Sequence, residues 1–426
     1  MKTSTKFIVL TSLYLSQGLP FGFFTQALPV LMHKEGISLQ LIGLTSLLAL
    51  PWACKFLWAP LIDNSKTTKW GKYRRWIIPL QSMTAFMMFL LSFLDIHEGL
   101  WIVCGGFLLA NALAATQDIA TDGLAVTLLS HEERGLGNGL QVAGYRVGMI
   151  LGGGPLLLVF HYMGWRVTFM GIALLLLIAT LPIIWTQEPE ATKTWDEAKE
   201  TSYFAGLYAF IKRPGMLVWL LVLFLYKGGD AFATGMLRPF LSSQGLDLKD
   251  IGWLLGTAGF TAGLLGALVG GWGVHLLGRK RSLIAFGLFQ AASVGAYILL
   301  TLSSSTWLLY TVCSVEHFAG GMATVALFTA MMDRCHPDQA ATDYTLQASI
   351  VVIATGSAAA VSGFSAASLG YAHHFLLATG LCITGVIASA YFLRGTADRV
   401  TQHPDTLTHS TPSSQERRPC NGHSSL

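Results

Sequence analysis

Charge is scarce in this sequence: Asp, Glu, Lys and Arg make up only 12% of its 426 residues, while 53% are hydrophobic. A water-soluble domain carries roughly 25% charged residues, so a chain with half that share suits lipid and would aggregate in water. Paired cysteines are missing too. The six cysteines show no CxxC spacing and four lie within apolar runs, which excludes a disulfide frame and a metal cluster and leaves reduced packing residues. Walker, HExxH and GxSxG motifs do not occur, which removes a nucleotide-driven pump and the common hydrolases. Gly152-Gly153-Gly154 has no following Lys-Ser/Thr and lies deep in an apolar run, where it serves close helix packing. The net charge of +4 is spread over short segments between apolar runs, not gathered on one face as in a nucleic-acid binder. No cleavable leader is expected, because the first apolar run continues past Pro20 to Leu31 without a small-residue cleavage site.

What the sequence does have is apolar runs of about 20 residues, the length of a bilayer crossing. They fall near 7–31, 39–62, 76–95, 100–129, 137–162 and 167–186, then near 216–241, 250–275, 282–303, 306–332, 343–368 and 372–394. The expected fold is an all-α integral membrane protein with twelve transmembrane helices. The segments on the side of the two termini hold 20 of the 27 Lys and Arg residues, and those on the other side hold 4. That bias places both termini in the cytoplasm.

The chain also repeats itself. Gly36-Ile37-Ser38-Leu39-Gln40-Leu41-Ile42-Gly43 matches Gly245-Leu246-Asp247-Leu248-Lys249-Asp250-Ile251-Gly252, half a chain later. The basic loop Gly71-Lys72-Tyr73-Arg74-Arg75 has its counterpart in Gly278-Arg279-Lys280-Arg281. Residues 1–186 and 216–394 thus read as two six-helix bundles, 187–215 as a cytoplasmic linker, and 395–426 as a disordered cytoplasmic tail rich in Ser, Thr, Pro and His.

Charges inside the spans need a reason, since each costs roughly 3 kcal/mol at the bilayer centre. Asp118 and Asp122 share one helix face, and Arg146 and Lys55 lie at similar depth on other helices. A mutually neutralising structural cluster, with Arg146 held by Asp118 or Asp122, is the larger expectation, and an acid that binds a proton or the solute is the alternative. Lys227 and Asp230 are three apart and either pair or bind solute. Glu316 has only His317 beside it, which should point to another face, so Glu316 is the best candidate for a titrating carboxylate. Gln17 stands at a bend before Pro20 and offers a hydrogen-bonding side chain. Trp52, Trp58 and Trp76 near span ends read as an interfacial belt. No catalytic constellation, metal site or cofactor site is read.

Six plus six helices in parallel halves resemble the plan of the major facilitator superfamily. Gly271-Trp272-Gly273-Val274-His275-Leu276-Leu277-Gly278-Arg279-Lys280 resembles its loop signature, with His275 in place of the acid, and the first half keeps Asp63. Lys55-Phe56-Leu57-Trp58-Ala59-Pro60-Leu61-Ile62-Asp63, Gln117-Asp118-Ile119-Ala120-Thr121-Asp122-Gly123, Glu133-Arg134-Gly135 and Gly144-Tyr145-Arg146-Val147-Gly148 resemble the AmpG-like permeases. That group includes muropeptide permeases, acetyl-CoA transporters and the RhtX/FptX-type siderophore permeases. The resemblance implies a monomeric secondary transporter of the bacterial inner membrane, not an enzyme, with a small-molecule solute and protons as its partners in the lipid bilayer. It places the solute between the halves, where the fourth, seventh and tenth helices line a cavity, and makes Asp63, Arg74, Arg75, His275 and Arg279 a gating loop. The compact length favours a siderophore importer. A muropeptide, an acetyl-CoA-type solute or export by the same fold remain alternatives.

Overall fold

In hydrocarbon a backbone N–H or C=O finds no water, so a chain of this composition must satisfy its own backbone, and a helix does so within one segment. The computed structural model describes residues 1–29, 32, 48–66, 68–94, 96–188, 203–303 and 305–402, apart from the side chains of 96–100, 248 and 394–402. Among these residues the protein is helical throughout, save for loops and one isolated bridge between Thr68 and Gly71.

The first half contains α1 (Thr3–Gly22), which continues through a wide turn at Phe23–Ala27, then α2 (Leu50–Cys54), α3 (Pro60–Asp63), α4 (Arg74–Leu91), α5 (Ile96–Leu128), α6 (Arg134–Gly152) and α7 (Gly154–Ile184). A short α8 (Ala205–Lys212) follows in the expected linker range. The second half contains α9 (Met216–Gly235), α10 (Leu237–Ser243), α11 (Leu248–Ile251), α12 (Phe260–Leu277), α13 (Arg279–Gly295), α14 (Tyr297–Leu302), α15 (Thr306–Met332) and α16 (Ala340–Gln402). Eight helical stretches are long and apolar enough to cross a membrane. Two of them hold two passages each, because the backbone turns at Gly164 (φ 76°) and Gly370 (φ 75°). With α4 and the second apolar run, of which only the end is described, this agrees with twelve passages. The Gly36–Gly43 copy of the repeat and most of the linker lie outside the described residues. The tail's first residues continue α16 as helix to Gln402, and 403–426 lie outside the described residues.

Small residues set the closest helix contacts, as is common where lipid removes the hydrophobic drive for association. Gly144, Gly148 and Gly152 recur every four residues on α6, and a Cβ on any of them would run into the α1 backbone at Thr11, Leu15 or Leu19. On the other side of α6, Gly135 and Gly139 meet Ala267, Gly271 and Val274 of α12, which joins the two halves. Gly148→Leu should therefore wedge α1 from α6. The expected result is a loss of about 1–3 kcal/mol or more, read as a lower melting point of the detergent-purified protein. An unchanged melting point would mean that this contact is not close.

At the end that carries Asp63 and Arg279, one apolar core spans both halves, from Leu10 and Leu128 to Val274, Leu283 and Met332. Toward the opposite end it splits. Leu19, Phe107 and Phe169 belong to a separate first-half core, and Phe240, Tyr297 and Phe375 to a separate second-half core. The halves are closed over each other at one end and part toward the other.

Candidate functional site

The interior charges fall into two groups. In the first, Lys55 follows the short α2 and is 3% exposed. Its ammonium contacts Asp118 and lies 3.7 Å from Asp122. Tyr14 of α1 donates to Asp122 Oδ1 at 2.7 Å. An amide chain runs beside this group: Gln17 donates to Gln117 at 3.1 Å, and Gln117 donates to Gln81 at 3.3 Å and to Thr121 at 2.9 Å. Every member of this group belongs to the first half. Trp52 donates to Asn111 at 3.2 Å and packs edge-on against Phe21, so it is an interior residue and not part of an interfacial belt.

The second group surrounds a cavity of about 400 Å³ between the halves. Arg146, Lys227, Asp230, Arg238, Glu316 and His317 line it. Lys227 donates to Asp230 at 2.9 Å and to Thr324 at 3.3 Å. Tyr297 donates to Glu316 Oε2 at 3.0 Å. Asp230 on α9 and Glu316 on α15 face this one cavity from two helices. Two sequence expectations are corrected here. His317 does not point away from Glu316, since its Nδ1 is 2.9 Å from Glu316 Oε2. Arg146 is not held by Asp118 or Asp122, because Lys55 takes both acids, and Arg146 instead lines the cavity with Glu316 and Asp230. The rotation of α6 decides this, turning Arg146 toward α12 and the cavity.

A third group closes the end with the shared core. Asp63 Oδ2 accepts the Thr342 N–H at 2.6 Å and Oδ1 accepts that of Ala341 at 3.4 Å, both in the first turn of α16. Lys72 and Tyr73 reach Asp63 at 3.3 Å. A carboxylate at a helix N-terminus satisfies free N–H groups and meets the positive end of the helix dipole. This is a contact from the first half onto the second. Arg74 and Arg75 take no part in it: they donate to the carbonyls of Ile184 and Lys66 in their own half. In the second half His275 is exposed, and Asp333 supplies the acid. Asp333 accepts from Arg134 at 2.9 Å and from Arg279 at 3.0 Å, and Arg279 also contacts the carbonyl of His131. Sequence reading quoted Arg134 within the Glu133-Arg134-Gly135 motif without giving it a partner, and passed over Asp333 and Tyr297. The position of Asp333 directly after the apolar run 306–332 was the available signal.

Outside the spans, Glu133 ties the start of α1 to the turn before α6. Its burial works against the charge, but donors on Lys6 (2.7 Å), Thr3 (2.6 Å) and Ser130 (3.0 Å) hold its carboxyl down at about 2. The tie is therefore complete above the ordinary carboxylate range and is lost only as pH falls toward that value. Burial pushes the Glu188 carboxyl up, although the backbone N–H groups of Tyr73 and Arg74 bond to it.

Asp63→Asn should keep an acceptor but lose the charge facing α16. A cap and dipole contact of about 1 kcal/mol corresponds to roughly a fivefold shift toward the state open at this end. Cysteine-accessibility labelling of cavity positions from each side of the membrane measures it. His275→Asn should leave the labelling unchanged, and equal patterns in Asp63→Asn and the unmodified protein would remove the latch.

The sequence profile of the Major Facilitator Superfamily matches residues 10–359. The chain is 30% identical over 385 residues to the anhydromuropeptide permease of Escherichia coli K12, covering 89% of this chain and 78% of that one. It is 29% identical over 385 residues to an uncharacterised protein of Haemophilus influenzae, covering 87% and 91% of the two chains. Among solved structures, the fucose:proton symporter FucP of E. coli superposes with a TM-score of 0.71 at 14% identity, covering 92% of this chain and 99% of that one. A FucP structure in the outward conformation gives 0.72 at 15% identity, with 91% and 98% covered. Fold, profile and relatives agree that this chain belongs to the major facilitator superfamily of transporters, in its AmpG-like permease group.

Proposed function

We propose that this chain is a proton-coupled importer of the bacterial inner membrane, with both termini cytoplasmic, and that its solute is a muropeptide. The observation that carries the coupling is the pair of carboxyl groups, Asp230 and Glu316, facing one cavity from two helices. A carboxyl that faces the cavity from each of two helices is placed to take up a proton on the path of the solute. The solute follows from the permease relative at 30% identity over most of both chains. The siderophore, favoured by chain length alone, has no such support. The 78% coverage of that relative fits a shorter member of the same group.

In this reading residues 1–186 and 216–394 are two bodies that rock about the cavity, joined through 187–215, and the monomer is the working unit. Arg146, Lys227, Asp230, Glu316 and His317 meet solute or proton. Gln17, Asp118 and Asp122 hold the first body together. The closed end is cytoplasmic under the positive-inside bias, so the cavity faces outward in this state. The test is uptake of radiolabelled anhydromuropeptide by cells that lack their own permease, with and without this protein, beside a ferric siderophore. Accumulation of the muropeptide that an uncoupler abolishes is the expected result. Accumulation of the siderophore alone, or muropeptide uptake indifferent to the uncoupler, would overturn the reading.

A further inference from the structure

The charged groups of the cavity are unequally provided for. Asp230 has Lys227, and Glu316 has Tyr297 and His317. Arg146 lines the same cavity, yet among the described residues its guanidinium makes no hydrogen bond. It is held in place by shape. The guanidinium lies against Gly263 of α12, where the space a Cβ would occupy is taken by Arg146 Nη1 and Cζ. Arg146 is on the same side of α6 as Gly135 and Gly139, which make the crossing with α12, so the residues that join the two halves also aim the arginine.

A guanidinium cannot give up its charge, and it presents paired donors that match a carboxylate in two parallel hydrogen bonds. In this cavity those donors are free for an acceptor that enters with the solute, and a carboxylate matches both. We infer that Arg146 is the receptor for a carboxylate of the solute, seated in the cavity between the α6–α12 crossing and the Asp230–Glu316 pair. This rests on the muropeptide reading, because a sugar-linked peptide ends in a carboxylate. Arg146 is the cavity charge that comes from the first half, whereas Lys227, Asp230, Glu316 and His317 come from the second. A solute held by Arg146 therefore touches both bodies through its charge.

The experiment is equilibrium binding of anhydro-N-acetylmuramyl-tripeptide and its methyl ester to the purified full chain in detergent. The free acid should bind the unmodified protein at least tenfold more tightly than the ester. Arg146→Gln should erase that difference. Gly263→Ala keeps the arginine but displaces its guanidinium; the three nearest neighbours of the added methyl group are atoms of that flexible side chain, so the variant should fold and show the same loss of discrimination. Acid and ester binding alike, or discrimination retained in Arg146→Gln, would overturn the receptor and leave the muropeptide reading standing. Binding of neither form would overturn both.

Discussion

Glu316→Gln is expected to abolish accumulation of solute while exchange across the membrane continues. The reason lies in what the glutamine keeps. It is nearly the same size and can still accept from Tyr297, so the packing of α15 and the cavity shape should survive. It cannot carry a proton. One proton moving down 100 mV supplies about 2.3 kcal/mol, which supports roughly 50-fold accumulation of a solute that moves with it. Cells or liposomes with Glu316→Gln should stop at equal concentrations on both sides, while preloaded labelled solute still exchanges with external unlabelled solute. Asp230→Asn is a harsher change, because it leaves Lys227 without its carboxylate; it should weaken binding as well as coupling. Normal accumulation in Glu316→Gln would move the proton site elsewhere.

Lys55→Met is expected to be the most damaging single change to stability. Lys55 is the cation that Asp118 and Asp122 share, and all three are buried. Removing one partner of a buried pair costs about 3–5 kcal/mol, since the remaining charge is left unpaired, and here two acids are left. Most of the protein should fail to reach the membrane in folded form, or should melt far earlier in detergent. Replacing both acids by Asn in the same variant should recover much of the loss, because a neutral cluster of similar volume avoids the burial of charge. Arg146→Gln should melt near the unmodified protein, and that contrast separates the two interior groups. If the triple variant folds no better than Lys55→Met, the charges are not what Lys55 provides.

The passages and the repeat were legible because both are written in composition. A run of apolar residues has one stable form in lipid, and the two halves show the same turns: Gly71 and Gly278, and Gly164 and Gly370, each take positive φ at corresponding places. The level of Lys55, Asp118 and Asp122 could be counted from the helix ends. What counting could not give was rotation. Arg146 is at the same depth as those acids but on another side of α6. The rotation was recorded in the glycines. At about 100° per residue, a residue two away from Gly144 and Gly148 stands on roughly the opposite face, and seven residues after Gly139 brings the helix back to nearly the same direction. Gly144 and Gly148 face α1, so Arg146 faces away from it; Gly139 faces α12, so Arg146 does as well. The latch was half legible. Asp63 contacts the start of α16, but the acid of the second half comes from the far end of α15, a pairing across 54 residues that a local motif does not contain.

The self-contained network around Lys55 bears on how such a permease could change its cargo. Because Lys55, Asp118 and Asp122 pair with one another, Arg146 is the charge through which the first bundle meets whatever occupies the cavity. Substitutions that retune selectivity would then accumulate in residues 216–394, with little pressure on the other bundle. A chimera that takes its second bundle from a relative should inherit that relative's preference, provided the graft keeps a glycine opposite Arg146. That one position, Gly263, is where an otherwise modular exchange would be constrained, since the arginine arrives from the bundle that was not replaced.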